Sequence, residues 1–78
     1  MNKIKTAEDI GLLIREKRKK DGLTQADLAG LCSVGIRLIS ELENGKPTIQ
    51  LVKVLQVLAC VGLEIKINPR GMFEETQL

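Results

Sequence analysis

Arg37 stands between Ile36 and Leu38, two residues after Gly35, and its stretch closes with Glu43-Asn44-Gly45-Lys46. Upstream, Arg15, Lys17, Arg18, Lys19 and Lys20 concentrate positive charge in one short segment. Such a cluster makes a basic face suited to an anionic partner, or a solvated helix end whose cations complement the negative pole of the helix dipole. The net charge is only +2, so the distribution carries the argument rather than the sum. Other reactive groups are few. No histidine occurs, and Cys32 and Cys60 lie far apart without a CxxC spacing. That leaves no zinc set and no neutral-pH base for nucleophilic catalysis. No phosphate loop is present either, so the chain is not expected to be an enzyme or to hold a metal or cofactor.

The elements that must position these residues come from an aliphatic composition. With 78 residues, 44% of them hydrophobic, and Phe73 the sole aromatic, the chain has room for one small domain. A chain this short buries only about 60% of its unfolded surface, and oligomerisation is a common remedy. Cys32 and Cys60 fall among aliphatic residues and read as small core hydrophobes in a reducing compartment. No apolar run reaches the roughly 18 residues of a membrane helix, and the N-terminus lacks the apolar region of a signal peptide. A cytoplasmic protein with no membrane association is expected.

Thr6 followed by Asp9 forms a capping-box pattern, and Ile10, Leu13 and Ile14 make an apolar stripe that runs to the Asp21-Gly22 stop. Thr24 with Asp27 repeats the pattern, and Ala26, Leu28, Ala29, Leu31 and Cys32 supply the buried side of a short second helix. After a break at Ser33-Val34-Gly35, a third helix turns Ile39 and Leu42 inward and Arg37, Ser40, Glu41 and Asn44 outward. Asn44-Gly45 ends it, and Pro47-Thr48 starts a fourth helix from about Ile49 to Val61. That helix is apolar on more than one side, which places it at the centre of the bundle. Beyond Gly62, Leu63, Ile65 and Ile67 alternate with Glu64 and Lys66 in the period of a strand, and Asn68-Pro69 closes it. The strand's apolar face either packs on its own core or pairs with a second chain, which would remove an exposed edge.

The run "LTQADLA", the turn, and "ISELENGK" together resemble the Cro/XRE-like, phage-repressor type of helix-turn-helix, with the first and fourth helices included in the match. The resemblance implies a mostly α fold, a lambda-repressor-like bundle of four helices with a C-terminal dimerising strand. It makes residues 1–62 the DNA-binding domain, 63–68 the dimerisation strand and 69–78 a flexible tail. In that family the second helix crosses the phosphate backbone and the third enters the major groove. By carry-over, Gly35 caps the recognition helix and Arg37 reads a base, in bidentate contact with guanine, while Ile36 meets a thymine methyl and Ser40 makes a shorter polar contact. Thr24, Gln25, Glu41, Asn44, Lys46 and the Gly45 amide belong to the same DNA-facing set, Gln25, Asn44, Gly45 and Lys46 holding phosphates. Taken without the resemblance, Arg37 is a solvent-exposed arginine on an amphipathic helix. The family often has polar residues where this chain has Gly35 and Ile36, so specificity leans on DNA shape. Arg18 and Glu43 are either unrelated surface charges or, as in this family, a partly buried ion pair between the first and third helices.

The ending "ISELENGKPT", a fourth helix and "GLEIKIN" is similar to the small HipB-like antitoxins. It implies a homodimer through Leu63, Glu64, Ile65, Lys66 and Ile67, bound to an inverted-repeat operator in double-stranded DNA. It also implies repression of the protein's own operon and neutralisation of a kinase-like, HipA-like toxin. The alternatives are a prophage or restriction-system regulator without a toxin partner, and a protein-interaction module that does not use DNA.

Overall fold

The computed structural model describes residues 4–67 and Pro69. Four helices follow in order: α1 (Ala7–Lys20), α2 (Gln25–Cys32), α3 (Ile36–Glu43) and α4 (Leu51–Cys60). The two threonines open the first two helices as capping boxes. Thr6 Oγ1 accepts the Asp9 amide at 3.1 Å and Thr24 Oγ1 the Asp27 amide at 3.0 Å, while each aspartate accepts the threonine's own amide in return. α2 ends at Ser33, which adopts the left-handed conformation (φ 57°), and Gly35 caps α3. A three-residue turn therefore sets the angle between the two helices. Asn44 ends α3, and Gly45 (φ 77°) turns the chain away.

Ile14, Leu28, Ile39 and Val57 are fully buried, one from each helix, and form the centre of the core. The substantial helix contacts are α1 with α3, α2 with α3, and α2 with α4. Gly11 allows the first of these to be close. A Cβ there would come within 3.0 Å of the Glu43 carbonyl oxygen and nearer still to that of Leu42.

Several expectations need correction. Ala26 and Leu31 are exposed, because at about 100° per residue the inward stripe of α2 is Leu28, Ala29 and Cys32, with its neighbours turned outside it. The fourth helix begins at Leu51, capped by Gln50, rather than at Ile49, and it ends at Cys60. Residues 47–50 are taken up in carrying the chain across from α3. Nor is α4 central. It lies on the flank of the bundle, burying Val54, Val57 and Leu58 while Leu51, Val52 and Leu55 remain exposed. The two cysteines are not separate thiols within the core. Each ends its helix, the ends of α2 and α4 come together with Cα atoms 5.6 Å apart, and a disulfide joins buried Cys32 to exposed Cys60.

Among the described residues no segment forms a strand. Leu63 packs partly against the core, whereas Ile65 and Ile67 are exposed, and no described residue gives their backbone a ladder partner. Asn68 and the tail beyond Pro69 lie outside the described residues.

Candidate nucleic-acid interface

The inner support of the site is a buried ion pair. Arg18 of α1 donates to Glu43 of α3 twice, Nε to Oε2 at 2.6 Å and Nη2 to Oε1 at 3.0 Å, while its Nη1 donates to the Leu23 carbonyl at 2.8 Å. Gln25, the first residue of α2, adds an Nε2 bond to Glu43 Oε1 at 3.1 Å. One carboxylate thus fastens the end of α1, the start of α2 and the end of α3 to one another. Burial alone pushes the Glu43 carboxyl up, but the bonds from Arg18 and Gln25 outweigh it and hold it below its ordinary value. The fork geometry is the strong bidentate form of a charge-assisted bond.

The outer face belongs to α3. Arg37 is almost wholly exposed, with 88% of its side-chain surface open to solvent, and Ile36 beside it is half exposed. Among the described residues only Nε of Arg37 is engaged, donating to Glu41 Oε2 at 3.2 Å. Lys46 Nζ reaches the same oxygen at 3.1 Å. Glu41 therefore gathers the two cations of this face, and their bonds, that of Lys46 foremost, lower its pKa. Exposed pairs of this kind are worth only about 0.2–1 kcal/mol, so a phosphate or a base edge can displace them.

The remaining residues of the set divide. Thr24 and Gln25 stand at the start of α2, Gly35 at the start of α3, and Ser40 and Asn44 along its outer side. Gly45 is buried, and its amide already donates to the Leu42 carbonyl at 3.0 Å, so its part in the site is to turn the chain toward Lys46. Two supporting residues escaped the sequence reading. Gly11 sets the α1–α3 approach, and a glycine inside a helical pattern was its signal. Gln56 donates from Nε2 to the Cys32 carbonyl at 2.9 Å and bonds α4 to the end of α2, an amide with no local signal at all.

A capped helix, a tight turn and a second helix held by buried hydrogen bonds with its polar side outward define a helix-turn-helix protein. The chain belongs to the helix-turn-helix family HTH_3, of the Cro/XRE type, which matches residues 14–65. This is a family of DNA-binding regulators, not of enzymes. Over 69 residues the chain is 54% identical to the uncharacterized HTH-type transcriptional regulator y4mF of Sinorhizobium fredii (strain NBRC 101917 / NGR234), covering 88% of this chain and 91% of that one. Among solved structures it is similar to HipB in a HipB–O4 20mer complex, with a TM-score of 0.80 and 21% identity over 91% of this chain and all of the other. A HipA–HipB–O2–O3 complex gives a TM-score of 0.81 at 21% identity, with the same coverage. No described helix is long and apolar enough to cross a membrane.

Proposed function

We propose that the protein is a cytoplasmic, sequence-specific transcriptional repressor that binds an inverted-repeat operator as a homodimer. The observation that carries this reading is Arg37, held outward on α3 with both terminal guanidinium nitrogens open among the described residues, on a helix locked to α1 and α2 by Arg18, Glu43 and Gln25. Such a fork suits guanine O6 and N7 in the major groove, with Ile36 beside it for a thymine methyl. Thr24, Gln25, Asn44 and Lys46 flank it as phosphate contacts, and Ser40 completes the polar edge. Glu41 pairs with Arg37 and Lys46 until DNA arrives.

The homodimer forms through Leu63–Ile67, paired antiparallel with its copy, and through the exposed Leu51, Val52 and Leu55 of α4, which one bundle leaves uncovered. The similarity to HipB supports a further step: the protein represses its own operon and neutralises a kinase-like toxin encoded beside it. Gel-shift with the DNA upstream of its gene, and co-expression with the product of the adjacent reading frame, test the two parts. Retention of the DNA and a stable complex are expected. A shift without any complex favours a regulator that has no toxin partner, and absence of a shift overturns the repressor.

A further inference from the structure

Cys32 closes α2 and Cys60 closes α4, and the disulfide between them has no part in the DNA-facing set. Ser33, left-handed, follows Cys32 directly and leads through Val34 and Gly35 into α3. Val61 and Gly62 follow Cys60 and lead into Leu63–Ile67. The bond therefore ties the root of the outward helix to the root of the proposed dimerisation segment. Its setting makes it consequential, because α4 packs mainly on α2 and has no side-chain cap at its N-terminus. Besides apolar contact, the links from α4 to the end of α2 are this disulfide and the Gln56 bond to the carbonyl of Cys32 itself.

We infer that Cys32 and Cys60 are a reversible thiol–disulfide switch for DNA affinity. The oxidised form holds the end of α4 against α2 and binds tightly, and the reduced form releases that end and binds weakly. The inference rests on the DNA-binding reading above. In a cytoplasm, glutathione and thioredoxin keep thiols reduced, and the disulfides that do form there are characteristically transient and redox-sensing. A Cα separation of 5.6 Å is that of an ordinary disulfide, so the bond closes in the folded arrangement of α2 and α4 without distorting it. Exposure orders the steps. The thiolate of solvent-facing Cys60 attacks a small-molecule disulfide such as oxidised glutathione, whose S–S bond breaks and releases one thiolate. The Cys32 thiolate then attacks the Cys60 sulfur and expels the second. Two protein thiols are oxidised, one small disulfide is reduced to two thiols, and the two protein protons pass to the departing thiolates. A dithiol reductant reverses the sequence.

The full chain is equilibrated across a series of oxidised and reduced glutathione, its thiols are trapped by alkylation and counted by mass, and each form is titrated with a duplex selected by the protein from a random pool. The bond is expected to close within the series and to raise the melting temperature by on the order of 10 °C. It should tighten DNA binding by about fivefold or more. Both differences should vanish in Cys60→Ser, a substitution at an exposed residue. Equal affinity in the two forms overturns the switch, as do thiols that remain alkylatable throughout. If neither form retains any duplex, the DNA-binding reading fails and the effect on DNA affinity falls with it, and amide exchange then decides what is left: protection of α4 that falls on reduction upholds redox control of that helix, and equal protection overturns it.

Discussion

Glu43 serves three elements at once, so its loss leaves a buried cation without a partner. Glu43→Ala should destabilise the fold by about 3–5 kcal/mol, since the buried Arg18 guanidinium would lose its counter-charge and keep only its bond to the Leu23 carbonyl. Urea titration reads this directly. The same carboxylate sets a pH dependence. Its folded pKa lies below the ordinary 4.5, so the folded state binds fewer protons than the unfolded one, and the stability it contributes is complete above that value and lost as the pH falls through the folded pKa. Asp9 and Asp27 shift the same way, through the backbone amides of Lys5 and Thr6 and of Thr24 that they accept. Unfolding free energy should therefore be level from pH 7 to the upper edge of the carboxylate range and decline below it, with a shallower decline in Glu43→Gln. On the outer face, Arg37→Ala should relax preference at one base per half-site, a change of about 1–3 kcal/mol there, while Lys46→Ala should weaken all sequences alike. Site selection with each variant separates them, and an unaltered preference in Arg37→Ala sinks the reader assignment.

At the scale of elements, Gly11 makes the sharpest prediction. Alanine is the better helix former, yet here its methyl would meet the carbonyls of Leu42 and Glu43, which are backbone and cannot swing aside. Gly11→Ala should cost about 1–3 kcal/mol through overpacking, and a thermal melt above that of the parent would show that α1 and α3 are less closely set. Local signals in the chain were strong where one residue decides one bond. Thr6 with Asp9, Thr24 with Asp27, and the stops at Gly22 and Asn44-Gly45 are written in neighbouring positions, and the helices follow them. The outward set on α3 was legible for the same reason, as a periodicity. What escaped depends on neighbours distant in sequence. Leu31 and the outer side of α4 look like core because apolar residues read alike whether covered or not, and whether one face meets a bundle is settled only by how the other three helices pack. The cysteines misled similarly. Twenty-eight positions apart, with no spacing motif, they become neighbours solely because α2 and α4 run their ends together.

The whole molecule has one asymmetry that a single copy does not resolve. Arg37 and Lys46 meet at Glu41 on the outer edge of α3, while Leu51, Val52 and Leu55 of α4, and Ile65 and Ile67 after it, are apolar and exposed. In the proposed two-fold assembly a second copy would cover the latter and repeat the former, which would set two outward helices about 34 Å apart, one helical turn of DNA. Linked half-sites bind far more tightly than separate ones, and if such a dimer contacts about 6–10 phosphates its affinity, followed by salt titration, should fall by on the order of 10³–10⁵ between about 50 and 200 mM salt. Ile65→Pro tests the joint. Proline removes a ladder donor in mid-segment, and residue 65 is 51% exposed in the single chain, so the bundle itself has little to lose. Sedimentation should show monomers, the melting of the monomeric bundle should survive, and affinity for the inverted repeat should drop toward that for one half-site. Leu55→Asp, which leaves every backbone donor in place, should act in the same direction by charging the apolar face of α4. If Ile65→Pro alone leaves the dimer intact while Leu55→Asp breaks it, helix α4 is the joint and the strand is not. If both stay dimeric with undiminished affinity, the uncovered side has another purpose and the two-fold assembly drawn here is wrong.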